Sequence, residues 1–194
     1  ITFLPILRAS RESRIINTSS VNGFFASVGP HVPHTAYCAA KFAVKGFTEA
    51  LITDLRLNAP NVSCSVVMPG HIGTPLLENS RKLVREKNAD EPTDSEVERA
   101  REMYLRAGLP VNNVPDEHIK NLMQHEADDW RDKARTTAKD AASIILKGVK
   151  EKRWRILVGK DAEFTDQAVR DDPESAYEPE FYERLAERNQ WINL

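Results

Sequence analysis

At 194 residues, with 41% hydrophobic residues and 29 acidic against 27 basic side chains, the chain is long enough for one domain with a real core. Its formal net charge of −2 gives no electrostatic reason to expect a nucleic-acid or polyanion partner, and no apolar run reaches the roughly 18 residues of a membrane span. Cys38 and Cys64 form no recognisable disulfide framework and suit a reducing compartment, so a cytoplasmic location is expected.

In chain order, residues 1–10 read as the tail of a helix, with Phe3, Leu4 and Leu7 as a short apolar stripe too brief for a signal peptide. Ile15 to Ser20 reads as a strand ending in two hydroxyls, and residues 21–35 as a loop rich in Gly and Pro. A helix is expected from about Ala36 to Leu57, stopped by Asn58 and Pro60. Its stripe of Ala40, Val44, Phe47, Leu51 and Leu55 should pack on a sheet, while Ala39, Ala43, Gly46 and Ala50 make a ridge of small residues that another helix could approach. Residues 62–67 follow as a strand nearly continuous in apolar and small residues, the pattern of a strand covered on both faces, and it breaks at Pro69-Gly70.

From Leu76 to Arg135 charged helices take over, one over 96–107 that stops at Gly108 and Pro110, and one opened by Pro115 with Ile119, Leu122, Met123 and Trp130 at helical spacing. Thr137 to Asp140 resembles a capping box for the next helix, which carries Ala141, Ile144, Ile145 and Val149. Trp154 to Val158 is the last expected strand. The acid-rich remainder from Asp161 reads as helical in two pieces, with Phe164, Val169, Phe181, Tyr182 and Leu185 as candidate packing residues. Asn17 and Asn61 fit the glycosylation pattern but lie at strand ends and are discounted.

The chemistry centres on Tyr37-Cys-Ala-Ala-Lys41. On a helix this spacing puts a phenol and an ammonium on one face, one turn apart. A phenol with its ordinary pKa of about 10 is a poor base at neutral pH, and a neighbouring cation favours its ionised form. The same spacing occurs by chance on many solvated helix faces. Its surroundings decide: strand, Ser20, loop, the Tyr37–Lys41 helix, strand, then Pro69-Gly70-His71-Ile72-Gly73-Thr74. The His31/His34 and His118/His125 pairs lack further ligands at tetrahedral spacing, so no metal site is expected. Cys38 has no base partner to make it a nucleophile.

In that order of elements the chain resembles the catalytic half of the short-chain dehydrogenase/reductase family, strongly over residues 1–77 and in outline over 136–159. The resemblance implies an α/β fold, the C-terminal part of a Rossmann-like doubly wound parallel sheet. It implies a single domain over 1–160 with a helical substrate-lid insertion at 76–135, extended by acidic helices over 161–194. It further implies an NAD(P)-dependent oxidoreductase that interconverts a secondary alcohol and a ketone. Tyr37 would be the general acid/base, Lys41 would assist it and hold the nicotinamide ribose, and Ser20 would polarise the substrate oxygen, with Ser19 and Ser27 as alternatives. Pro69, Gly70, Ile72 and Thr74 would meet the nicotinamide carboxamide.

The family's Gly-rich turn and its catalytic Asn have no counterpart in the 194 residues, so the sequence reads as the C-terminal portion of a longer protein that would act as a homodimer or homotetramer. The rival readings are a sugar-nucleotide epimerase or dehydratase, which also uses a Tyr–Lys pair, and a non-catalytic dimerisation fragment.

Overall fold

A computed structural model describes residues 2–27, 34–84 and 91–187. The elements run α1 (Leu4–Ala9), β1 (Ser13–Thr18), a 3-10 turn (Val21–Gly23), α2 (Thr35–Asn58), β2 (Val62–Pro69), β3 (Ile72–Gly73), α3 (Leu76–Val84), α4 (Asp94–Arg106), α5 (Asp116–Asp132), β4 (Thr136–Thr137), α6 (Ala138–Lys150), β5 (Arg155–Val158), α7 (Lys160–Asp171) and α8 (Pro179–Glu187). The chain divides into two compact units, one of residues 1–71 and 139–194, the other of residues 72–138.

The first unit is built on a parallel sheet in the order β1-β2-β5. β2 is the centre, pairing Ile15 with Cys64 on one side and Val67 with Ile156 on the other. Its residues are buried along almost the whole strand, as its apolar run requires. Partners in a parallel register share a face, which fixes the layering. Cys64, whose thiol donates to the Thr48 carbonyl, faces α2, whereas Ile156 lies one residue out of that phase and packs against Gly148 of α6. Helices therefore cover opposite faces of the sheet, the doubly wound arrangement. At Gly148 an added Cβ would stand 2.8 Å from the Ile156 side chain, so the glycine lets α6 lie close on the strand.

α2 forms because residues 35–58 are rich in alanine and free of proline. It ends where Pro60 disfavours helical geometry at Ala59, whose φ of −154° is extended. The face it buries differs from the expected stripe. Cys38, Thr48 and Leu55 are buried, whereas Ala40 is exposed and Phe47 is 63% exposed. A polar residue displaces the phenylalanine because Thr48 is fully satisfied, donating to the Val44 carbonyl and accepting from the Asn17 amide. Leu55 joins Ala59, Val62 and Cys64, with Leu4, Leu7, Ile15, Leu51 and Ile52 packed around them. The Asn61 amide donates to the carbonyls of Leu7, Arg8 and Ser10, closing the frayed end of α1.

The acid-rich end of the chain also builds core. Phe25, Ala176, Phe181 and Leu185 are buried together, with Phe24, Phe164, Val169 and Tyr182 against them. Arg155 and Asp166 form a bidentate pair, and Arg155 lies over the Phe24 ring at 5.5 Å.

The second unit has a core of Val97, Ala100, Tyr104, Val111, Ile119 and Met123 between α4 and α5. Thr93 and Glu96 form a reciprocal capping box that starts α4 two residues earlier than its apolar pattern implied. Gly108, at φ +83°, turns the chain out of that helix. Pro115 stands just ahead of α5 as its cap. Arg101 donates to the carbonyls of Val111 and Val114 and pairs with Asp116, binding the connection to both helices. β3 and β4 form a short parallel pair. Among the described residues no helix is long and apolar enough to cross a membrane.

Candidate active site

β1 ends at Thr18, two residues before the expected end, because the next two hydroxyls redirect the backbone. Ser19 donates its Oγ proton to the Lys41 carbonyl at 2.7 Å, tying the strand end to α2. Ser20 caps the 3-10 turn, its Oγ accepting from the Asn22 amide at 3.2 Å and donating to Asn22 Oδ1 at 3.4 Å. At Gly23 an added Cβ would run into Ser19 Oγ and stand 2.9 Å from the Lys41 carbonyl oxygen, so only glycine lets this turn lie against α2. Of the three candidate serines, Ser19 is thus occupied by a helix carbonyl. Ser27 accepts a hydrogen bond from the Tyr182 hydroxyl at 2.9 Å, and Ser20 stands at the turn itself.

Tyr37 and Lys41 occupy successive turns at the start of α2, as their spacing dictates. Lys41 Nζ donates to the Thr18 carbonyl at 3.3 Å and lies 5.5 Å from the centre of the Tyr37 ring. The ammonium is thereby held at the carboxyl end of β1. Tyr37 is 39% exposed, and His34 meets its ring edge-on at 5.7 Å. His31 lies outside the described residues. Cys38 is buried, and burial pushes its thiol above the usual cysteine range, which keeps it protonated and unreactive.

Pro69 and Gly70 stand at the carboxyl end of the neighbouring strand, β2, where open α/β sheets receive ligands. The Gly70 amide donates to the Val158 carbonyl at 2.9 Å, the last rung between β2 and β5. Ile72 and Thr74 belong to the second unit. There Ile72 pairs with Thr136, and the Thr74 amide donates to the Ile72 carbonyl at 2.8 Å. In the first unit, Ser20 and Lys41 Nζ thus stand near the carboxyl end of β1, with Tyr37 one turn before Lys41 on α2, while Pro69 and Gly70 stand at the carboxyl end of the adjacent β2.

Two further residues of this site escaped the sequence reading. Asn22 is buried and donates to the carbonyls of Phe25 at 3.1 Å and Ser27 at 2.6 Å, so it organises the serine turn from inside. Asp161 accepts from the His71 amide at 2.6 Å. Burial pushes its carboxyl above the usual range, against the opposing pull of the backbone N–H groups of His71, Ala162 and Asp161 itself. Asn after a serine pair is a local signal that could have been read as turn chemistry. Asp161 lies ninety residues from its partner and carries no such signal.

A pocket of about 320 Å³ lies wholly within the second unit, lined among others by Glu78, Arg81, Lys82, Glu91 and Lys120. Arg81 is paired with Glu126, Lys82 with Glu78 and Lys120 with Glu91, so its charges neutralise one another.

Comparison with known proteins finds similarity to one family of oxidoreductases. The short chain dehydrogenase family profile matches residues 1–84. SadH of Mycobacterium tuberculosis, an oxidoreductase by name, is 42% identical over 78 residues, covering 40% of this chain and 27% of that protein. Nodulation protein G of Azospirillum brasilense is 40% identical over 77 residues, covering 40% of this chain and 29% of that protein. A crystal structure of a short chain dehydrogenase/reductase from Burkholderia phymatum in complex with NAD superposes with a TM-score of 0.59 at 26% identity, over 91% of this chain and 54% of that one. The chain thus spans between a quarter and a third of the length of these two curated relatives. Residues 1–84 thus match the short chain dehydrogenase family, and the doubly wound parallel sheet is similar in fold to its NAD-bound member.

Proposed function

We propose that this protein is a nicotinamide-dependent oxidoreductase that interconverts a secondary alcohol and a ketone. The observation that carries the reading is Lys41, anchored on the Thr18 carbonyl at the end of β1 with Tyr37 exposed one turn before it. The residues present suit the nicotinamide end of such a cofactor. Lys41 has donors to spare beyond the Thr18 carbonyl, and Pro69 and Gly70 stand at the carboxyl end of β2. The glycine turn that would cradle the pyrophosphate is not among the 194 residues, so the assignment is confined to the nicotinamide end.

In this reading Tyr37, Lys41, Pro69, Gly70, Ile72 and Thr74 hold NAD or NADP, which supplies the hydride acceptor or donor. Tyr37 takes the proton from the substrate hydroxyl during oxidation and returns it to the carbonyl oxygen during reduction. Lys41 places a positive charge beside the oxygen that becomes negative. Ser20 holds the substrate oxygen by hydrogen bond, and the Asn22 amide and side chain orient its hydroxyl. Residues 76–135 serve as the substrate lid, and hydrogen exchange over 72–138 with and without cofactor and substrate tests that role. The same reading makes the protein a cytoplasmic homo-oligomer acting on a small molecule.

Tyr37→Phe tests it in the intact protein. The ring stays and the oxygen goes, so folding should persist while kcat falls by about 10²- to 10⁴-fold. Lys41→Met should lower kcat and weaken cofactor binding together. Near-normal turnover in Tyr37→Phe would remove Tyr37 from the mechanism, and with it the reason for assigning Lys41 and Ser20.

A further inference from the structure

Beyond the rung from the Gly70 amide to the Val158 carbonyl, the sheet no longer holds the chain. The next backbone donor, the His71 amide, goes to the carboxylate of Asp161 at 2.6 Å. That carboxylate stands in the first turn of α7, where the backbone N–H groups of Ala162 and Asp161 favour its negative charge. α7 needs such a partner, because the residue that caps it, Gly159 at φ +103°, has no side chain to offer. The carboxylate lies so close against Gly70 that a Cβ there would fall among its atoms. One half-buried side chain therefore joins the end of β2 to the start of α7 through the His71 amide and the close contact at Gly70.

We propose that Asp161 is a positioning residue for the Pro69–Gly70–His71 turn, setting where that backbone stands when the nicotinamide end of the cofactor meets it. The proposal rests on the cofactor reading above and adds a residue to it. Asp161 touches neither cofactor nor substrate; it acts through the Gly70–His71 backbone. The glycine at position 70 is needed because the carboxylate occupies the space a side chain would take.

The test compares wild type, Asp161→Ala, Asp161→Asn, Gly70→Ala and the Gly70→Ala/Asp161→Ala double variant, with His71 amide exchange and the affinity for NAD and NADP as readouts. Asp161→Ala should speed exchange at His71 by about tenfold or more, the loss expected for a hydrogen bond to a charged group, while Val66 and Val67 stay protected. Cofactor affinity should fall by a similar factor. Asp161→Asn keeps one acceptor oxygen and should lie between the two. Gly70→Ala should be severe alone and milder in the double variant, where the carboxylate is gone.

Unchanged exchange at His71 in Asp161→Ala, or simple addition of the two single effects, overturns the proposal. Should Asp161→Ala fail to fold, wild-type exchange at His71 in Asp161→Asn overturns it equally. Loosened exchange with unchanged cofactor affinity overturns the positioning role and leaves a structural tie between β2 and α7. A wild type that binds neither NAD nor NADP defeats the cofactor reading instead, and the exchange and coupling results still decide whether Asp161 holds the turn.

Discussion

Single residues in this protein act through the charge or space they impose on backbone nearby. Asp166 shows how the balance is struck. Burial alone would raise its carboxyl, but the hydrogen bonds and charge of Arg155, with a contribution from Arg170, outweigh that and hold it below the usual carboxylate range. A depressed pKa means stability that is present above the unfolded value of about 3.9 and is lost as pH falls through the lower folded value. Asp166→Asn should therefore cost on the order of 3 kcal/mol at neutral pH, since it leaves a largely buried Arg155 without its partner. The gap to wild type should close in thermal melts below about pH 4. A gap that persists unchanged to pH 3 would show that the pair's charge is not what stabilises it.

At the scale of elements, α8 packs through the aromatic and leucine side chains its sequence offered for that purpose. Phe181 is only 1% exposed and packs 5.3 Å from the Phe25 ring. The Tyr177 hydroxyl accepts from the Ala26 amide at 3.1 Å, and the Tyr182 hydroxyl donates to Ser27 Oγ. The end of the chain thus clamps residues 25–27, which continue from the serine turn. Phe181→Ala should cost about 3–5 kcal/mol, the usual range for emptying a buried aromatic site. Denaturant melts should show a lower midpoint with little change in slope. A loss below about 1 kcal/mol would mean that α8 is loosely attached and that the serine turn stands without it.

At the scale of the whole molecule, α2 presents an exposed face of small residues. Its outer face carries Ala39, Ala43, Gly46 and Ala50, all exposed, beside Phe47. At Gly46 an added Cβ would meet nothing within 4 Å. Small residues flanked by exposed aromatics suit close helix packing, and the reading of the protein as a homo-oligomer assigns this face to a second copy. Ala43→Glu should then give monomers in analytical sedimentation without loss of helix content. An unchanged oligomer would place the interface elsewhere, and a wild type already monomeric would remove the expectation altogether.

Much of this was legible from local pattern. Hydrophobic period and turn residues located α1, β1, α2, β2, α5, α6, β5 and the two final helices, because those elements are dictated by neighbours in the chain. The Tyr37–Lys41 spacing carried its own geometry, since a helix fixes which residues share a face. Other features depend on partners distant in sequence. Thr48 rather than Phe47 faces the sheet because Asn17 and the Val44 carbonyl satisfy its hydroxyl. Ser19 stood as an alternative to Ser20 in the sequence, and only the fold turns Ser19 to the Lys41 carbonyl and Ser20 to Asn22. The grip of Asp161 on His71 spans ninety residues. Periodicity records which side of an element is apolar, but a hydrogen bond between distant segments exists only once the fold has brought donor and acceptor together.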